Sequence, residues 1–124
     1  METFKIAGTE DTPSITLDAG TQVFEIAGRS LPEDVAAFYK PVLDWLDSYS
    51  ENPLTKTVFS FKLTYFNTAS SKMILDVMMK LESLHEEGKD VVIKWQYPND
   101  DEDMKEAGAE YADIVDLPFE QIGY

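Results

Sequence analysis

Two stretches of this 124-residue chain gather side chains able to do chemistry: Asn67-Thr68-Ala69-Ser70-Ser71-Lys72 and Asp100-Asp101-Glu102-Asp103. The first is a cluster of helix-capping residues directly after a strongly alternating apolar segment. Hydroxyls at such a helix start stand beside free backbone N–H groups and the positive end of the helix dipole, which together hold phosphate. A phosphoryl group there adds about −1.5 to −2 charges and three acceptor oxygens, and Lys72, one turn along, is placed to offset part of that charge. The same residue types also serve as plain caps, each worth ~1 kcal/mol. The residues alone leave both readings open.

The acidic run offers a hard-cation site or a carboxylate enzyme as alternatives. An EF-hand loop needs oxygen ligands at alternating positions, a glycine at the sixth and a glutamate at the twelfth. Counting from Asp103 the glycine falls at Gly108, but Lys105 and Ala107 occupy ligand positions, so the set fails. Acids in the first turn of a helix, favouring its dipole and remaining solvated, account for the run, and no metal site is expected. Other chemistries lack their parts. The chain has one histidine, His85, and no cysteine, so neither a catalytic triad nor a multi-ligand zinc site can be assembled. His85 is read as an exposed or half-buried surface residue. Gly8, Gly20, Gly28, Gly88, Gly108 and Gly123 are isolated and form no phosphate-binding loop. An acyl-carrier reading of Asp47-Ser48-Tyr49 fails because that segment lies inside a helix of a chain rich in strands.

Composition narrows the class further. A net charge of −14 repels nucleic-acid phosphates and anionic membrane surfaces, so neither partner is expected. Hydrophobic content of 44% and aromatic content of 12% belong to a folded chain rather than an acidic tail. Size scaling gives roughly 6,700 Å² of folded surface and implies one core and one domain over residues 1–124. The absence of cysteine suits a reducing compartment. Met1-Glu2-Thr3-Phe4-Lys5 lacks a basic and apolar leader pattern, and no apolar run is long enough to span a membrane. A soluble cytoplasmic protein is the expectation.

The elements follow from periodicity. Ser14–Asp18 and Gln22–Ile26 alternate around the turn Ala19-Gly20-Thr21 and predict a hairpin. Ser30-Leu31-Pro32-Glu33 has the pattern of a capping box, so a helix is expected to begin there. Val35, Phe38, Tyr39, Val42, Trp45, Leu46 and Tyr49 then form its apolar stripe, with a kink at Pro41 and an end at Asn52-Pro53. Thr57–Phe66 predicts the strongest strand, with Phe59, Phe61, Leu63 and Tyr65 on one face. The capping cluster starts a helix carrying Met73, Ile74, Val77, Met78, Leu81 and Leu84, which stops at Gly88. Asp90–Tyr97 is a further strand, so strand, helix and strand make a β-α-β unit with parallel strands. Asn99–Tyr124 holds nine acids against the single base Lys105. Met104, Ala107, Tyr111 and Ile114 predict a short helix there, and Phe119–Ile122 a last strand. The sum is an α/β fold, a mixed β-sheet with helices mainly on one face.

Beyond these patterns, the chain resembles the SiaC family of bacterial regulatory phosphoproteins, relatives of the anti-sigma-factor antagonists of the SpoIIAA or STAS-like fold. The likeness runs through Gly8-Thr9, Thr12-Pro13, Ile26-Ala27-Gly28-Arg29-Ser30, Pro32-Glu33, Phe38-Tyr39, Pro41 and Asp44-Trp45-Leu46. It continues in Tyr65-Phe66-Asn67-Thr68-Ala69-Ser70-Ser71-Lys72, Asp100-Asp101-Glu102-Asp103-Met104, Glu106-Ala107-Gly108 and Leu117-Pro118-Phe119. The resemblance implies a non-enzymatic partner switch without cofactor. A cognate Ser/Thr kinase phosphorylates the residue matching Thr68, and a PPM-type phosphatase restores it. The unphosphorylated form activates a diguanylate cyclase, raising cyclic di-GMP and favouring biofilm or aggregation. In the broader antagonists the acceptor is a serine in an Asp-Ser-Ser-Gly setting, and this chain lacks that aspartate and glycine. An anti-sigma-factor antagonist is therefore the alternative rather than the first reading.

Overall fold

The computed structural model describes residues 2–124. Met1, the first residue of the expected domain and of the segment read for a leader, lies outside them. Strands β1 (Phe4–Ile6), β2 (Ser14–Asp18) and β3 (Val23–Ser30) are followed by α1 (Val35–Tyr49) and β4 (Lys56–Phe66). Helix α2 (Thr68–Glu86), β5 (Asp90–Tyr97), α3 (Glu102–Ile114) and β6 (Phe119–Gly123) complete the chain. The six strands lie in sequence order, with β1, β2 and β3 antiparallel and β3 through β6 parallel. Each parallel neighbour is reached through one helix, and all three crossovers step the same way across the sheet. With the usual common hand, such crossovers put every helix on the same face.

Burial confirms that layout. Ile15 and Leu17, Phe24 and Ile26, Phe59, Phe61 and Leu63, and Val91, Ile93 and Trp95 alternate into one core beneath the helices. The intervening residues form an open face. The accessible surface of 6796 Å² is close to the value that chain mass alone implies. β1, too short for a periodic signal, was absent from the sequence reading; it adds Phe4 and Ile6 opposite Leu17 and Ile15.

Three expectations are corrected. Helix α1 begins at Val35, capped by Asp34, whose carboxylate accepts from the Ala37 N–H at 3.1 Å. Ser30 does not cap it, because it is the last residue of β3 and its hydroxyl is buried in another network. Tyr65 does not share the face of Leu63. The β3–β4 register shifts between Gly28 and Arg29, so Thr64 is an extra residue. That bulge turns Tyr65 outward, 47% exposed under the Arg29 guanidinium, and turns Phe66 inward against Trp95. Gly28 carries the bulge's φ of 110°, which only glycine adopts without strain. Ile114, assigned to the apolar stripe of the last helix, is 60% exposed because Met104, Gly108 and Tyr111 form the buried line of α3. Pro41, where a kink was expected, lies exposed within α1, which continues past it to Tyr49.

Candidate functional site

The first turn of α2 follows directly from the carboxyl end of β4, the end of a parallel strand where α/β proteins present their functional groups. Asn67 is the N-cap: its side-chain oxygen accepts from the Ser70 N–H at 2.8 Å and its carbonyl accepts from the Ser71 N–H at 3.0 Å. Its own N–H donates to the Ser30 carbonyl at 3.3 Å, tying the cap to the end of β3.

The hydroxyls of this turn have separate fates. Ser70 is fully buried; its Oγ donates to the Ser30 carbonyl at 2.9 Å and accepts from the Ser30 Oγ at 2.9 Å. The Ser30 Oγ also lies 2.6 Å from the Tyr39 hydroxyl. Because the Ser30 proton is committed to Ser70 and the Ser70 proton to the carbonyl, the Tyr39 O–H is the donor to Ser30. A closed chain of three buried hydroxyls therefore underlies the turn, joining α1, β3 and α2. Burial pushes the Tyr39 phenol up to about 12, against the opposing effect of the Ser30 hydroxyl, so it keeps its proton. Ser71 is half-buried and its Oγ donates to the Thr68 carbonyl at 2.6 Å. The Tyr111 O–H donates to the Ser71 carbonyl at 2.8 Å and fastens α3 to the same turn; burial raises its pKa as well.

Thr68 stands apart from these. It is the first residue of α2, exposed, and its hydroxyl makes no hydrogen bond among the described residues. Ala69 beside it is exposed too, and Lys72 is exposed one turn on. The structure thus brings Asn67 through Lys72 together but sorts them. Asn67 and Ser70 hold the turn, Ser71 braces it, and Thr68, Ala69 and Lys72 face outward.

The acidic run behaves as helix-start residues. Asp101 caps α3 by accepting from the Met104 N–H at 3.0 Å, and Glu102 and Asp103 sit exposed in its first turn. Among the described residues no three His, Asp or Glu side chains converge as a metal site. His85 is half-buried near the end of α2. Ser30, Tyr39 and Tyr111 were not read as parts of the site. Tyr39 and Tyr111 stood in apolar stripes, where nothing in the spacing distinguishes a phenol that packs from one that also donates.

Strand order never reverses among β3 to β6, so the sheet has no switch-point crevice for a small substrate. The exposed features of this one-sided α/β sandwich include the start of α2 and shallow clefts. The chain belongs to the SiaC family of regulatory phosphoproteins, whose pattern matches residues 6–124. It is 29% identical over 119 residues to an uncharacterised protein of Pseudomonas aeruginosa strain UCBPP-PA14, covering 96% of this chain and 94% of that one. SiaC of Pseudomonas aeruginosa superimposes with a TM-score of 0.91 at 27% identity over 100% of both chains. A second solved structure, of diguanylate cyclase SiaD in complex with its activator SiaC from the same organism, matches with a TM-score of 0.92 at 27% identity, covering 98% of this chain and 99% of that one. No helix among the described residues is long and apolar enough to cross a membrane.

Proposed function

We propose that this chain is a phosphorylation-controlled activator: unphosphorylated, it binds and activates a diguanylate cyclase, and phosphorylation of Thr68 releases the cyclase. A cognate Ser/Thr kinase adds the phosphate and a PPM-type phosphatase removes it, so the switch sets cyclic di-GMP output and with it biofilm or aggregation. The carrying observation is the isolation of Thr68, the one hydroxyl of the turn that is both exposed and uncommitted. The solved complex of the relative with SiaD supports the choice of partner.

The physical mechanism is local. Adding two negative charges to a body of −14 changes the distant field little, and salt screens it beyond roughly 8–10 Å. At a docking surface the same phosphate must be desolvated or paired, and leaving it unpaired costs several kcal/mol. The turn itself need not move, because Asn67 and the buried hydroxyls hold it from below.

The test replaces Thr68 by Ala and by Asp and measures cyclic di-GMP synthesis by the host's SiaD-type cyclase. T68A is expected to activate as the unmodified chain does and T68D to lose roughly 100-fold in affinity. Equal activation by both variants overturns the switch. Phosphate located by mass spectrometry on Ser70 or Ser71 instead of Thr68 overturns the site.

A further inference from the structure

Parallel strands are ordinarily covered on both faces, whereas β3 to β6 carry helices on one face only. Alternation points Val58, Ser60 and Lys62 of β4 away from the helical layer, together with their neighbours on β3 and β5. The open face differs from the rest of the surface in two respects. It carries five of the chain's ten bases, Lys5, Arg29, Lys56, Lys62 and Lys94, against four of its 24 acids, Asp18, Glu25, Asp90 and Glu120. The negative excess therefore lies on the helices and loops. Of the large apolar side chains exposed among the described residues, Val23, Tyr65, Ile122 and Tyr124 also lie on this face, against Met79 and Ile114 on the helical side. A body of charge −14 repels its own copies everywhere except here.

Register arranges the centre of this face symmetrically about β4. Val58 and Val92 are partners, and Val23 continues their row on β3. The next row is Glu25, Ser60 and Lys94, an acid and a base on either side of a small neutral residue. A two-fold axis lying along β4 between two copies sets β3 of one over β5 of the other. Valines then meet valines, the two Ser60 residues meet on the axis, and Glu25 of each copy faces Lys94 of the other. Lys62, which would otherwise meet its own copy on the axis, is drawn over the Tyr124 ring at 4.8 Å. Lys56 stands beyond the valine row, at the rim beside its register partner Asp90. The packing is the aligned one of β-sandwiches, with sheets ~10 Å apart and strand directions ~30° apart.

We infer that the open sheet face binds a second copy of this chain, forming a two-fold dimer in which reciprocal Glu25–Lys94 pairs flank a centre of valines and Ser60. Such an interface is self-complementary, as a two-fold contact must be. A footprint of about 20 Å by 24 Å on each copy, set by strand spacing and rise, amounts to roughly 1,000 Å² in all. That is the lower limit of a specific interface, so the dimer is weak and reversible. Strands of both copies run the same way about this axis. Both Thr68 turns therefore stand at one end of the dimer, on its outer helical layers, where they stay accessible. The pair gains avidity toward any partner that is itself two-fold.

The experiment is sedimentation equilibrium of the full chain at concentrations from about 5 to 500 µM, where a Kd of roughly 10–100 µM is expected. E25K and K94E each set like charges against one another at both reciprocal contacts, and each is expected to raise the Kd at least about 10-fold. Mixed together, the two variants are complementary at both contacts and are expected to dimerise within about threefold of the unmodified chain. T68D, on the opposite layer, is expected to dimerise unchanged. The urea midpoint of each variant verifies its fold, and recovery in the mixture excludes a folding defect as the cause of the loss. An unmodified chain that stays monomeric throughout, a dimer indifferent to E25K and K94E, or a mixture that fails to recover overturns the interface. Loss of the dimer in T68D moves the contact to the helical layer and overturns it as well.

Discussion

The starts of α2 and α3 use the same device and end with opposite electrostatics. In each an Asx side chain accepts from the N–H three residues on, Asn67 from Ser70 at 2.8 Å and Asp101 from Met104 at 3.0 Å. At α3 the cap is itself an acid, and Glu102 and Asp103 add two more in the first turn, so its dipole is permanently answered. At α2 the cap is a neutral amide and the first turn has no acid. Even α1, which lacks first-turn acids, is capped by Asp34. The comparison teaches that α2 alone is left electropositive at its start, with an exposed hydroxyl in its first turn. A phosphate on Thr68 supplies the anion that the other two helices carry in their sequence.

The contrast can be broken most severely from the α3 side. An added Cβ at Gly108 would collide with Trp95 Cδ1 and lie 2.7 Å from its Nε1, the group that donates to the Met104 carbonyl at 2.9 Å. G108A is therefore expected to shift α3 off the sheet and cost about 3 kcal/mol, read from urea unfolding. Next comes the support of α2. S70A leaves the Ser30 proton without its buried acceptor and is expected to cost about 2 kcal/mol, whereas S71A, at a half-buried brace, costs well under half as much by the same measurement.

Alkaline unfolding sharpens the role of the buried phenols. Tyr39 titrates near 12 in the fold against about 10 in the open chain, so the fold favours its protonated form. That contribution is whole below pH 10, declines as the unfolded phenol ionises, and is gone once pH passes about 12. Tyr111, raised by burial, acts in the same sense. Y39F is expected to flatten the loss of stability between pH 10 and 12, and an unchanged profile would overturn the buried, protonated state assigned to the Tyr39 phenol. The smallest effect is the most direct on the comparison. N67D gives α2 the acid it lacks and is expected to raise stability by about 0.5 kcal/mol, while slowing phosphorylation of Thr68 through like-charge repulsion. An unaltered phosphorylation rate would show that the neutral cap is incidental.

Much of this arrangement is legible in particular residues. Alternation in Phe59, Phe61 and Leu63 announces β4, and the Asn67 cluster announces the start of α2, because both depend on local spacing and local hydrogen bonds. The capping-box pattern at Ser30 misleads for a physical reason: its hydroxyl finds a better-protected partner in Ser70, forty residues away. Tyr65 and Ile114 look like core because periodicity carries no knowledge of a bulge or of which helix face meets the sheet. Within the hydroxyl turn the residue types are nearly equivalent on paper, and nothing in their order says which is buried.

By itself the sequence determined the element types, the parallel β4-α2-β5 unit, the acidic character and the hydroxyl run after the central strand, since period, capping chemistry and charge are local properties of the chain. Tertiary structure decided the rest. Packing of β3 and α1 beneath the turn consumes Ser70 and leaves Thr68 free, and the seating of α3 on Trp95 opens a cleft beside it. Both outcomes depend on groups distant in sequence competing for the same buried protons and the same space.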